Sequence, residues 1–600
     1  MEQFELRMRT SASASGPSTP ASDEDASGGI HLSDTRNSTK HKINDRLVAA
    51  RIRLEKYQQR WSEIGEELPP QINRSLLLRH SERDWTVIIT SSRTGLYIGT
   101  ATALRHAGPV GTLLGYMITG TVVWPNVGGP VGLAGLYVDP ALGFALGWNA
   151  WYNWTIILPT ELSAAAILLN GFFTNASAEF IRSSLPSALI ASGLGRMERL
   201  SLSLILTIIS LILAGIILDL GGGTEGFIGF KNWRDPGPFV EWRARGSLGK
   251  FLGVWSSMSQ AVFAFFGTEI PGVAAGEVQN PAKNIPRAVN RVWIRMQVVP
   301  SATLFYVLAV FVAGLLVRSD DSRLIGPSSG SPGHVLVLTS PFVIAMQYSR
   351  LRHLEHICNA AFVVSAFSAA TSDVYISSRF LYYLARCGHA PRFCAAIFHS
   401  EHNKTIVPWI GILVSAGFAL LAFMSVSETS AEEIFHWLSS LNSTTALLSW
   451  IGMLYTYLRW YQGTIAAEKN DTTFKQTHQD IYKNRYRMQP WIAIYAFVMC
   501  VLILIFNGWF VFTRPGPWRM ARELDDSPLK TDPEVGNWVP TFVSSYLALP
   551  FFLLAILGYK LIYRTRMVPL REMQFERGHI PEIHEEEPTT RWGRLLAVLF

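Results

Sequence analysis

Cysteine is scarce in this chain. Four residues, Cys358, Cys387, Cys394 and Cys500, serve 600 positions. Their spacing matches no metal motif and two lie in apolar runs, so they read as small apolar fillers. Charge is scarce where it matters most. Val407–Val426, Trp491–Phe512 and Phe542–Tyr563 each run about twenty residues with Asp, Glu, Lys and Arg absent or confined to the ends. Strict apolar–polar alternation is missing too, which argues against a membrane β-barrel. A multispan enzyme would need His, Asp or Cys clustered near one interface. The nearest approach, His353 and His356 beside Arg350 and Arg352, reads as interfacial charge. No enzyme, metal or cofactor is therefore expected. Met1 leads into acidic, Ser-rich sequence, so no cleavable signal peptide is expected and the first span would act as the signal.

What the chain does hold is apolar residues, 49% of the total, gathered into long blocks. Crossing about 30 Å of hydrocarbon takes about twenty helical residues. Lipid offers the backbone no hydrogen bonds, so such blocks read as helices. They fall near 85–104, 108–124, 141–169, 201–220, 251–275, 298–317, 356–385, 407–426, 434–460, 491–513 and 542–563. The fold class is thus an all-α polytopic membrane protein with about eleven recognisable spans. The net charge of +7 sits mostly between blocks, which fits orientation in a bilayer better than nucleic-acid binding. Lys283, Arg287, Arg291 and Arg295 follow the fifth block, Arg386, Arg392 and Lys404 the seventh, and Lys483, Arg485 and Arg487 the ninth. Lys560, Arg564 and Arg566 close the last. Positive-inside bias then places the C-terminus in the cytosol.

Three regions follow. Residues 1–84 form a cytosolic tail, largely disordered by composition, with a weakly amphipathic helix from Asn44 to Glu67. Residues 85–563 form the membrane domain, and 564–600 a cytosolic tail.

Two blocks carry chemistry. Phe263-Ala264-Phe265-Phe266-Gly267-Thr268-Glu269-Ile270-Pro271-Gly272 places a carboxylate and a proline inside an apolar span. Pro271 removes a donor and frees carbonyls upstream. Irregular backbone at membrane depth is tolerated only where protein or a water-filled cavity covers it. The segment therefore reads as a broken helix at a solute site with Glu269 pointing inward; a simple proline kink is the plainer alternative. In the first block, Thr94-Gly95-Leu96-Tyr97-Ile98-Gly99-Thr100 suits either exposed backbone amides that attract a carboxylate or close helix packing.

As a set, these motifs resemble fungal amino-acid permeases of the amino acid–polyamine–organocation superfamily. The resemblance extends through Val138-Asp139-Pro140, Phe144-Ala145-Leu146-Gly147-Trp148-Asn149, Gly276-Glu277, Asn280-Pro281, Ser372-Asp373 with Ser377-Ser378-Arg379, and Gly558-Tyr559-Lys560. It implies an inverted-repeat transporter fold of twelve spans and proton-driven amino-acid import (symport) at the plasma membrane, both termini cytosolic. Amides at Thr94, Gly95 and Leu96 would hold the substrate carboxylate. Carbonyls around Phe263 and Phe266, with Gly267 and Thr268 at the break, would hold the ammonium group. Glu269 would couple or gate protons, and Ser372 would lie beside the ion site of sodium-dependent relatives. Expected partners are the amino acid, protons and the lipid bilayer. An inside-negative potential favours proton entry by about 2.3 kcal/mol per 100 mV, close to the roughly 2.7 kcal/mol that hundredfold accumulation costs.

Three places depart from the pattern. Arg93 stands where a small glycine usually flanks the carboxylate site. Val123-Trp124 runs straight into Pro125. Gly171–Arg199 carries Glu179, Arg182, Pro186, Arg196, Glu198 and Arg199, and its longest apolar piece, Leu185–Leu194, is too short to cross. These departures leave open a diverged relative that senses amino acids without carrying them, or a misread gene, in which case residues 171–199 would not belong to the mature protein.

Overall fold

The computed structural model describes residues 94–123, 133–170, 210–224, 226–267, 298–321, 324, 340–348, 354–396, 398–400, 405–426, 431–471, 473–477, 488–512, 538–573 and 575. Arg93, Thr268, Glu269, the Gly276-Glu277 and Asn280-Pro281 motifs, the 44–67 segment and the 171–199 segment lie outside these residues.

Apart from the single turns Lys231–Arg234 and Phe474–Thr477, the α-helices among the described residues are α1 Thr94–Tyr97, α2 Gly99–Val123, α3 Leu133–Tyr137, α4 Pro140–Asn170, α5 Ser210–Asp219, α6 Gly246–Phe265 and α7 Val298–Leu316. There follow α8 Pro341–Gln347, α9 Leu354–Arg386, α10 Trp409–Gly417, α11 Ala431–Asn470, α12 Trp491–Phe506, α13 Trp538–Tyr546 and α14 Ala548–Tyr563. A 3-10 stretch, Phe418–Val426, continues α10. A two-stranded antiparallel hairpin pairs Phe398–Ser400 with Thr405–Val407. Where they are described, the apolar blocks fall mostly on helix, with Val407 in the hairpin and Phe266-Gly267 in a turn.

Length and apolarity alone qualify Leu354–Arg386 and Trp491–Val511 as spans, plus α13 and α14 as one span bent by 43°. Two of the other long helices depart from a plain apolar span for physical reasons. The chain breaks within α2 at Gly108, and α4 carries Asn149, Asn153 and Glu161 inward. The distribution of side chains is inverted relative to a water-soluble protein. Leu554, Leu561 and Trp491 are 61%, 77% and 74% exposed, whereas Glu161, Thr445, Asn442 and Asp373 are fully buried. Apolar skin over a polar-seamed interior is the arrangement lipid selects.

Three close approaches set the arrangement. Along α6, Gly253 meets His106 and Ala107, Gln260 meets Gly99, and Phe263–Ala264 meets Gly95, so the first arm of α2 runs antiparallel to α6. Thr112 accepts from Ser257, Gly115 abuts Ser257 and Met258, and Thr119 reaches Met258; the second arm runs parallel to α6. The chain therefore reverses at Gly108 (φ 73°, ψ 175°). Meanwhile α4 lies antiparallel to α11, with Gly452 over Leu146, Asn149 donating to the Thr445 carbonyl, and Thr445 donating to Asn153 Oδ1 at 2.8 Å. It is also antiparallel to α9, where Asn359 donates to the Leu168 carbonyl and Leu384 faces Gly147.

Candidate functional site

The site forms where two helices stop. α6 ends at Phe265; Phe266 takes an extended conformation (ψ 142°) and Gly267 has φ 98°, a region that favours glycine. The last carbonyls of a helix have no partner within it, and the first amides at the other end are in the same position. α1 closes at Tyr97, Ile98 forms a turn in which the Ala101 amide donates to the Ile98 carbonyl at 2.9 Å, and α2 resumes at Gly99. Thr94, Gly95 and Leu96 thus lie in the short helix that ends at this break. A methyl group built on Gly95 would lie 2.7 Å from Phe263 Cδ1 and 2.9 Å from Ala264 Cα. The short helix α1 and the end of α6 are therefore in direct contact at Gly95, Phe263 and Ala264.

Aromatic rings line the junction. Trp154 of α4 packs on Phe266 at 4.9 Å, Phe435 of α11 on Phe263 at 5.9 Å, and Tyr306 of α7 on Phe265 at 5.1 Å. Tyr97 stacks on Phe362 of α9 at 4.0 Å. Polar groups are set among them. The Tyr97 hydroxyl is directed at that of Ser365, one turn on from Phe362, and neither meets any further partner among the described residues. Glu161 of α4 lies within electrostatic reach of Tyr97. On α11, Asn442 is two turns from Phe435 on the same face, fully buried, with both side-chain polar atoms lacking a partner among the described residues. Thr100 hydrogen-bonds to the Leu96 carbonyl and to Tyr116 at 3.2 Å.

Of the residues expected from sequence, Gly95 and Phe263 meet directly, while Thr94, Leu96, Phe266 and Gly267 adjoin them in the two chain breaks. Ser372 is buried on α9, two turns beyond Ser365, and its hydroxyl donates to the Ser368 carbonyl of its own helix at 3.0 Å. Glu161 and Asn442 were not singled out from sequence. The signal for Glu161 was present in Leu158-Pro159-Thr160-Glu161, a proline and a carboxylate deep in an apolar block. Asn442 sits in a run of hydroxyl residues, where nothing marks which of them faces inward. Among the described residues no group of three His, Cys, Asp or Glu side chains could hold a metal ion.

Broken helices meeting at a buried polar junction, inside a bundle with an apolar skin, define a membrane carrier. The chain belongs to the amino acid permease family, whose pattern matches residues 88–571, and amino-acid transport is its function at that level. An uncharacterized amino-acid permease of Schizosaccharomyces pombe is 31% identical over 536 residues, 86% of this chain and 94% of that one. The dicarboxylic amino acid permease of Saccharomyces cerevisiae is 31% identical over 528 residues, 84% of this chain and 79% of its own length. The proline-specific permease of Emericella nidulans is 30% identical over 498 residues, 79% and 82% of the two chains. Among solved structures, a manganese transporter of Eremococcus coleocola aligns with 82% of this chain and 95% of its own at 12% identity and a TM-score of 0.48, a likeness too distant to bear on function.

Proposed function

We propose that this chain imports amino acids across the plasma membrane together with protons, holding the substrate's carboxylate and ammonium groups at the paired breaks of α1 and α6. The observation that carries this reading is the packing of Gly95 against Phe263–Ala264. On this reading the amides expected from the Thr94-Gly95-Leu96 motif stand beside the carbonyls released at the end of α6, a pattern complementary to a zwitterion. Asn442, buried with its amide unmatched, is assigned to the substrate, because a buried amide without a partner costs about 1–3 kcal/mol. Glu269 keeps the proton-coupling or gating role expected from the sequence motif. Glu161, a fully buried carboxylate near Tyr97, is a second carboxylate for that task. The positive-inside pattern supports cytosolic termini.

The test is uptake of radiolabelled amino acids by a host lacking its own permeases. Uptake is expected to collapse with a protonophore and to ignore sodium. Uptake that survives the protonophore and requires sodium contradicts the coupling.

A further inference from the structure

Two motifs that the transport site does not use meet at the other end of the molecule. Asp139, from Val138-Asp139-Pro140, accepts from the Ala141 amide at 2.9 Å and so caps α4, with Pro140 in the first helical position. Its second oxygen pairs with Lys560 Nζ, of Gly558-Tyr559-Lys560, at 2.8 Å. Beyond α14 the chain turns at Arg564 (φ 50°) and runs back over the body. Thr565 donates to Asp139 Oδ1 at 2.8 Å, and the Val568 amide donates to the Val138 carbonyl at 2.8 Å. Arg459 of α11 donates to the Val568 carbonyl at 2.7 Å. Val568 and Met573 are buried, and Met573 Sδ occupies the space beside Gly463 where a side chain would stand. Phe575 stacks on Tyr137 and packs edge-on against Phe474.

A solvated tail would not bury apolar anchors or engage a carboxylate that is only 7% exposed. The strap bridges the start of α4 and the far end of α11. These two helices supply Glu161, Trp154, Phe435 and Asn442 to the junction. Carriers work by moving helix groups against one another around a fixed site, and a strap across two site-forming helices holds their spacing at one mouth. We propose that residues 564–575 are an inner latch, seated on Asp139, Gly463 and Arg459, which must release for the solute to leave on that side. The proposal rests on the transport reading and on a cytosolic position for the strap.

Two measurements on the full-length chain test it, both in a Cys387→Ser background so that the native thiol outside the buried set is silent. In the first, Met573→Cys is labelled with an impermeant maleimide in inside-out vesicles. Adding Asp139→Asn, which keeps the helix cap but loses the charge that Lys560 needs, is expected to speed labelling by about fivefold or more. An unchanged rate overturns the latch. In the second, Gly463→Cys with Met573→Cys is oxidised to tie the strap down. Uptake is expected to fall about tenfold or more and to return on reduction; full cross-linking with unchanged uptake overturns the latch. If labelling responds to Asp139→Asn while the reduced double variant and the parent chain both fail to carry any amino acid, the seated strap stands and the transport reading falls.

Discussion

At Gly95 there is no room for a methyl group, because two of the nearest atoms, Ala264 Cα and Ala264 N at 2.9 and 3.1 Å from its position, are backbone. At Gly99, one turn on, the same methyl group would meet only Gln260 oxygens at 3.8 and 4.0 Å. Gly95→Ala is therefore expected to force the two breaks apart and lower uptake by about tenfold or more, since misplacement by about 1 Å can cost a hundredfold. Gly99→Ala is expected to leave uptake within about twofold, as ordinary van der Waals contact implies. Surface expression of both, read beside uptake, separates transport from folding; equal loss in the two variants would remove Gly95 from the site. The glycines and Phe266-Gly267 were legible because a break in an apolar span needs residues that tolerate it. Glu161 and Asn442 were not. Whether a polar residue in a helix faces lipid, a neighbour or a cavity depends on the rotation of that helix, which a single sequence leaves open.

The same contrast holds for whole elements. Sequence separates the blocks at 85–104 and 108–124 across Gly108-Pro109, and the structure turns the chain back at that glycine. With φ 73° and ψ 175°, Gly108 occupies a region nearly closed to other residues, at a cost of about 1–3 kcal/mol for a side chain there. Its added methyl would also lie 3.0 Å from Phe239 Cα, the Pro238 carbonyl and the Val240 amide. The Val110 amide donates to the Pro238 carbonyl and the Val240 amide to that of Ala107, so the turn and the loop before α6 are stitched together. Gly108→Ala is expected to lower the thermal midpoint in detergent by several degrees, a shift of the size that such a cost produces. An unchanged midpoint would mean that the loop yields freely. The long helices were legible as apolar blocks but their extents were not. α11 runs 40 residues, about 60 Å, because its last turns leave the apolar zone to meet the strap. No local pattern could reveal that Asp139 and Lys560 pair, since both simply bound apolar blocks.

For the molecule as a whole, the exposed leucines and buried carboxylates argue for lipid outside and a polar route within, and the amino acid permease family supplies the solute. The central claim is that a proton gradient drives an amino acid through the junction of α1 and α6. The most direct measurement is accumulation of labelled amino acids by sealed vesicles containing only this protein, under an imposed gradient acidic on the outside. Proteoliposomes with the natural chain are predicted to concentrate at least one amino acid about tenfold or more, a cost of roughly 1.4 kcal/mol that a proton gradient readily supplies. Collapse of the gradient should abolish it, and Gly95→Ala vesicles should stay near the level of empty ones. Equal internal label with and without the gradient, for every amino acid tried, would contradict the account.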